Sequence, residues 1–203
     1  MLVSPIDIKH SPDVKLRMFG TTIIEKPLLK IGIKESIMLT ISQVETEEQI
    51  AAARELMREY LDWAFTLGIG KNQAPTFEGL EDELRTLPGI YAPPKGRLLL
   101  AKQDGQPAGC VCFKDHNRTT CELKRFYVRP TFRGLKIGWQ LVNKLVDEAR
   151  ASGYQRMVLD SHIEMKKAHA LYQAVGFRIV EIPDDFPKEL KPFVVFMEYD
   201  LSI

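Results

Sequence analysis

The chain has 203 residues, 45% of them hydrophobic and 27% charged, and its 28 basic and 27 acidic side chains leave a formal net charge of +1. This is an ordinary globular composition, long enough to bury one core. A near-neutral balance argues against the basic stripe of a polynucleotide binder, and no apolar run reaches the ~20 residues of a membrane span, so neither nucleic acid nor membrane is expected as a partner.

Residues 1–37 read differently from the rest, because Pro5, Pro12, Pro27, Gly20 and Gly32 interrupt two short β-like runs, 14–19 and 22–29. They are expected to be an N-terminal extension of unknown role. It is either an arm that packs on the domain or on a second subunit, which would give a homodimer, or residues upstream of a start at Met38. An early Asp7, a first basic residue at Lys9 and no long apolar run do not make a secretory signal, so a cytoplasmic protein is expected.

From Met38 the pattern is regular. A strand over 38–44 leads to Thr46 and Gln49, a capping box, and then to Ile50, Ala53, Met57, Tyr60 or Leu61, and Ala64 on one face of a helix ending near Gly68. A shorter helix is predicted over 77–86, stopped by Leu87, Pro88 and Gly89, followed by a loop at 92–94. Asp104-Gly105 marks a hairpin between strands 97–102 and 108–114, and a turn at His116-Asn117 leads to a third strand, 120–128. The next helix carries Ile137, Leu141, Leu145 and Ala149 at four-residue spacing and stops near Gly153. A buried strand over 157–160, a helix over 165–175 and strands over 177–182 and 193–200 complete the chain. This order gives an α/β (α+β) fold, a mixed central sheet flanked by helices, in one domain over 38–203. The three cysteines are an odd number, and Cys110 and Cys112 point to the same side of one strand, which suits reduced core thiols and no metal knuckle.

The turn between the third strand and the long helix carries the chemistry. Over Arg133, Gly134, Leu135, Lys136, Ile137 and Gly138 the first N–H groups of the helix lack intrahelical partners, the glycines let an anion approach, and Arg133 adds a fixed positive charge. Neither G-x-G-x-x-G nor G-x-x-x-x-G-K-[ST] occurs. The turn resembles motif A of the GNAT acyltransferase superfamily, Q/R-x-x-G-x-G/A, matching at Arg133 and Gly138 and departing at Lys136, where the family usually has glycine. Leu171, Tyr172, Gln173, Ala174, Val175, Gly176 and Phe177 supply a second signature of that superfamily, L-Y-x-x-x-G-F, and the joint resemblance covers about 38–203. It implies acetyl-CoA as co-substrate and no metal. The diphosphate would lie on the amides from Arg133 to Gly138, the pantetheine arm along the strand holding Phe126 and Val128, and the sulfur opposite Tyr172.

A phenol of pKa about 10 against a thiol of about 8.5 makes full proton transfer uphill by roughly 2 kcal/mol, so Tyr172 is expected to hydrogen-bond the departing thiolate. Glu122 resembles in position the glutamate that some members use as base, and strict alternation would put it on one strand face with Lys124, Phe126 and Val128. The alternatives are a surface pair between Glu122 and Lys124 or Arg125, with water chains as the base. Asp160, Ser161 and His162 end the next strand beside the cleft, His162 having a pKa suited to proton shuttling. Met165 stands where the family often has asparagine. Tyr60, Trp63, Phe65 and Phe186 are candidates for the wall of an acceptor pocket. The resemblance thus implies an N-acetyltransferase moving an acetyl group directly to a primary amine of a small molecule. A protein or peptide amine is the alternative acceptor, and a non-catalytic acyl-CoA sensor or a mononucleotide-binding enzyme the alternative classes.

Overall fold

Two pieces of local chemistry launch the fold. The Thr46 and Gln49 side chains cap each other's backbone N–H groups, Gln49 N to Thr46 Oγ1 at 3.3 Å and Thr46 N to Gln49 Oε1 at 3.0 Å, and Asp104 and Gly105 both take positive φ in the hairpin turn. The computed structural model describes residues 38–66 and 79–202, all within one compact unit, Ile37–Ile203. The extension over 1–37, the expected helix end at Gly68 and the first residues of the predicted second helix lie outside the described residues.

Seven strands, β1 Leu39–Gln43, β2 Arg97–Gln103, β3 Gln106–Asn117, β4 Thr120–Val128, β5 Arg156–His162, β6 Arg178–Val180 and β7 Val194–Asp200, form one sheet in the order β1-β2-β3-β4-β5-β7-β6. Among the described residues the helices are α1 Glu47–Thr66, α2 Leu80–Arg85, α3 Ile137–Ala151 and α4 Lys166–Val175. The fold class is the expected mixed α/β sheet. Its core has two layers. Ile50, Ala53, Leu56 and Met57 of α1 and Leu84 of α2 pack on Leu98, Leu100, Cys110 and Cys112, while Leu141 and Leu145 of α3 and Tyr172 of α4 cover Leu99, Val111, Phe113 and Met157. The cysteines are free and buried, and the Cys110 and Cys112 thiols donate to the Arg125 and Lys124 carbonyls. None of the described helices is long and apolar enough to cross a membrane.

Some boundaries move. β3 runs through Asn117, so the turn falls at Arg118-Thr119, closed by the Thr119 N–H on Asn117 Oδ1 at 3.1 Å. β5 extends to His162 because β7 keeps pairing with it to Val194, whereas β6 is only three residues long.

Two departures from regular pairing shape the site. β4 and β5, the one parallel pair among the described residues, match only at Thr120↔Arg156, Cys121↔Met157 and Glu122↔Val158; beyond these, β4 follows β3 and β5 follows β7, and a wedge opens between them. β4 also bulges: Cys112 pairs with Lys124 and Cys110 with Tyr127, so Arg125 and Phe126 together face Val111, with Arg125 at φ 54°. The bulge reverses the alternation and corrects the expectation of a shared face. Cys121 and Leu123 before it and Phe126 and Val128 after it pack toward α3 and α4, whereas Glu122 and Lys124 lie on the face of α1 with Tyr127.

Candidate active site

After β4 the chain makes a short 3-10 turn, Pro130–Phe132, and enters α3. The Arg133 N–H is taken by Pro130 O at 3.2 Å and the Gln140 N–H by Lys136 O at 3.1 Å, while the amides of residues 134–139 have no acceptor among the described residues. Six consecutive donors at the positive end of a four-turn helix form an anion cradle. Gly134, at φ 88°, faces open space. Lys136 caps the helix at φ 59° without a side-chain cap bond, so the one departure from the motif falls where a glycine would be unstrained. Ile137 is buried and offers only its amide, whereas Leu135 is 53% exposed. Gly138 serves packing: a Cβ there would lie 3.0 Å from Phe126 Cζ and 3.1 Å from Leu171 Cδ1.

Two arginines tie this turn to α1. Arg129 reaches Glu55, Glu59 and the Pro107 carbonyl. Arg133 donates to Val128 O at 3.1 Å and rests 5.7 Å from the Trp63 ring centroid.

Tyr172 is buried between Phe126 and Phe177, ring centroids 5.7 and 5.6 Å away. Its hydroxyl has no hydrogen-bond partner among the described residues, and burial pushes its pKa above the usual phenol value, which keeps it protonated and a donor. Phe126 therefore touches both Gly138 of the cradle and the Tyr172 phenol.

On the α1 face, Glu122 accepts from Lys124 at 2.6 Å and Lys114 at 3.1 Å, and Lys124 also reaches Asp160 across the wedge at 3.2 Å. Burial alone would raise the Glu122 carboxyl, but the two lysines outweigh it and hold it below the usual range. Burial would likewise lower the Lys124 ammonium, but Asp160 and Glu122 reverse that. Of the two partners weighed for Glu122, Lys124 is the one in contact; Arg125 instead forms a bidentate pair with Glu83, at 2.8 and 2.7 Å, and Glu83 also accepts from Tyr91 Oη.

His162 accepts the Glu164 N–H on Nδ1, and partial burial lowers its pKa. Tyr60 stacks at 6.2 Å from both Trp63 and Tyr127, placing α1 beside the end of β4. Phe65 is 48% exposed, and Phe186 packs on Phe196 of β7. Met165 precedes α4 without a side-chain cap bond. Sequence reasoning missed Lys114, the Lys124–Asp160 bridge, the Arg125–Glu83 pair and a Ser161–His169 contact at 3.1 Å. The Lys124–Asp160 and Arg125–Glu83 pairs join residues 36 and 42 apart, the other two join different elements, and only the alternation of charged residues on β4 hinted at Lys114 and the Lys124–Asp160 bridge.

Residues 72–177 match the family model described as "Acetyltransferase (GNAT) family". An uncharacterized N-acetyltransferase of Schizosaccharomyces pombe is 33% identical over 166 residues, 81% of this chain and 96% of that protein. The IAA acetyltransferase of Azospirillum brasilense is 36% identical over 96 residues, 47% of this chain and 60% of that protein. Among solved structures, the PaiA N-acetyltransferase from Thermoplasma acidophilum in complex with coenzyme A superposes with a TM-score of 0.64 at 17% identity, covering 81% of this chain and 99% of that one, which speaks for the fold. The chain belongs to the GNAT acetyltransferase family. It is a GNAT-type N-acetyltransferase.

Proposed function

We propose that the enzyme is cytoplasmic and moves the acetyl group of acetyl-CoA directly to a primary amine of a small molecule, without a metal. The observation that carries this reading is the placement of Phe126, whose ring packs on Gly138 of the unpaired amide cradle and lies 5.7 Å, centroid to centroid, from the ring of Tyr172. In this reading the amides of residues 134–138, with Arg133 and Lys136, take the diphosphate. The pantetheine arm follows the open edge of β4 past Val128 and Phe126, and the thioester stops beside Tyr172. Tyr172 then donates a hydrogen bond to the departing thiolate. Glu122, held by Lys114 and Lys124, stays charged and fixes Lys124, so the surplus proton of the amine leaves through water in the wedge. Three buried reduced thiols suit a reducing compartment.

Calorimetry with acetyl-CoA, followed by thiol release across a panel of amines, amino acids and peptides, tests the proposal. Cofactor heat and release dependent on a small amine are expected. Heat without release for any amine favours a sensor, release with peptides alone favours a protein acceptor, and no heat at all ends the reading.

A further inference from the structure

β5 is gripped from both faces just where it parts from β4. The last match between the two strands is Glu122↔Val158, and beyond it their facing edges share no pairing among the described residues. β5 is held in place there, because all seven of its residues, Arg156 to His162, pair with β7. Alternation puts Met157, Leu159 and Ser161 on the face of α3 and α4, and Asp160 on the face of α1. Asp160 and Ser161 each reach a different element. Asp160 Oδ1 accepts from Lys124 Nζ at 3.2 Å, and Lys124 is fixed within β4 by Glu122 at 2.6 Å. Ser161 Oγ lies 3.1 Å from His169 Nε2, in the first turn of α4. Ser161 is buried and the Asp160 and Lys124 side chains are only 17% and 21% exposed, so water competes poorly for either contact.

Both contacts lead to the thioester end of the proposed slot. Lys124 is two residues before Phe126, and His169 is three before Tyr172, one turn away on the same side of α4. The Phe126 and Tyr172 rings lie 5.7 Å apart, one on the strand and one on the helix. Across the wedge no backbone pairing sets the distance of β4 from β5, and the ion pair stands in that place. α4 rests on the sheet through Leu171, Tyr172 and Val175, an apolar and therefore non-directional hold, whereas the hydrogen bond to Ser161 has a length and a direction.

From this we infer that Asp160 and Ser161 are positioning residues, which hold β4 through Lys124 and α4 through His169, so that the two walls of the thioester end keep one spacing. The inference rests on the acetyltransfer reading above and adds the residues that set the geometry of its reacting end. Neither residue is given a step in the transfer. ADP, which has the diphosphate but no pantetheine arm, would use the cradle alone, so loss of either contact should be felt by acetyl-CoA and not by ADP.

The test is calorimetry of acetyl-CoA and of ADP on the wild type and on Asp160→Asn, Ser161→Ala, Lys124→Met and His169→Ala, together with the double variants Lys124→Met/Asp160→Asn and Ser161→Ala/His169→Ala. Each single change should weaken acetyl-CoA by about threefold to tenfold and leave ADP within about twofold. Each double variant should bind acetyl-CoA no more weakly than the worse of its two singles, because both singles break the same contact. Asp160→Glu and His169→Gln, which keep a charge and an acceptor, should retain most of the affinity. Carbonyl-labelled acetyl-CoA supplies a second readout by NMR: one sharp bound resonance in the wild type, broadened or moved toward the free position in Asp160→Asn and Ser161→Ala. If the contacts serve folding alone, the variants melt earlier while both ligands bind as in the wild type. That outcome, unchanged acetyl-CoA affinity in either Asp160→Asn or Ser161→Ala, an equal loss of acetyl-CoA and ADP, or double variants whose losses multiply overturns the inference. Wild-type acetyl-CoA heat with unchanged variants defeats the positioning alone, whereas no acetyl-CoA heat in the wild type defeats the acetyltransfer reading and the inference with it.

Discussion

The two halves of β4 solve opposite problems. Before the bulge, Glu122 and Lys124 point to the α1 face and are engaged in ion pairs with Lys114 and Asp160. After it, Phe126 and Val128 turn to the α3 face, and the chain runs on into amides with nothing to bind. The first half is held by charges that satisfy one another, and the second leads to donors with no acceptor among the described residues, the place the proposed function gives to the cofactor. The contrast depends on one residue in an unfavourable conformation: Arg125, at positive φ, is kept there by the fork of hydrogen bonds to Glu83.

Breaking that anchor should have the largest effect. Glu83→Ala leaves the Arg125 guanidinium buried and unpaired and removes the acceptor of Tyr91 Oη, so a loss of about 3–5 kcal/mol in urea unfolding is expected. A loss under about 1 kcal/mol would mean that the bulge holds itself. The pH dependence has a definite sign. Burial works to raise the Glu83 carboxyl, but Arg125 and Tyr91 outweigh it, and its folded pKa lies below the ordinary 4.5. The stabilisation is therefore fully present above that value and fades as pH falls through the folded pKa, as it does for Glu122. Urea midpoints should be flat near neutrality and drop on acidification below about pH 4.5. In Glu83→Ala the drop should be shallower.

The open half is tested by Tyr172→Phe. Turnover should fall about tenfold to a hundredfold while acetyl-CoA affinity stays within about twofold, because the hydroxyl would engage the sulfur only as it departs. Since this hydroxyl has no internal partner, the variant should melt at or slightly above the wild-type temperature. A fall in melting temperature together with unchanged turnover would assign Tyr172 to packing alone.

The halves also differ in how far the sequence reveals them. The turn that follows the open half is written locally, like the capping box at Thr46 and the Asp104-Gly105 hairpin: each rests on neighbours a few residues apart, and the structure has these turns in place. The engaged half is written between strands. Strict alternation assigned Glu122 and Phe126 to one face, and it failed at Arg125, because a bulge on a non-glycine residue carries no local signature and depends on Glu83, 42 residues away in sequence. The Lys124–Asp160 bridge depends in the same way on where β5 leaves β4, a property of pairing with β3 and β7. Local turn chemistry is legible, and the electrostatics of a site assembled from four elements is not.

Lys136 lets the two kinds of constraint be weighed at one position, since it is both a local strain and a charge offered to a ligand. As an L-residue at φ 59° it should be disfavoured by about 1 kcal/mol relative to glycine, so Lys136→Gly is expected to raise stability by up to that amount, while Lys136→Ala, equally strained, should leave it nearly unchanged. If the ammonium faces the diphosphate, both variants should weaken acetyl-CoA by about 0.5–2 kcal/mol, roughly two- to thirtyfold. Paired melting and calorimetry on the two variants decide the matter. Equal losses of affinity with unequal stability would mean that the chain accepts backbone strain for the sake of a cation beside the cradle. Affinity unchanged in both would leave Lys136 a solvated side chain, and in the proposed reading the amides of residues 134–138 would then hold the diphosphate with Arg133 alone.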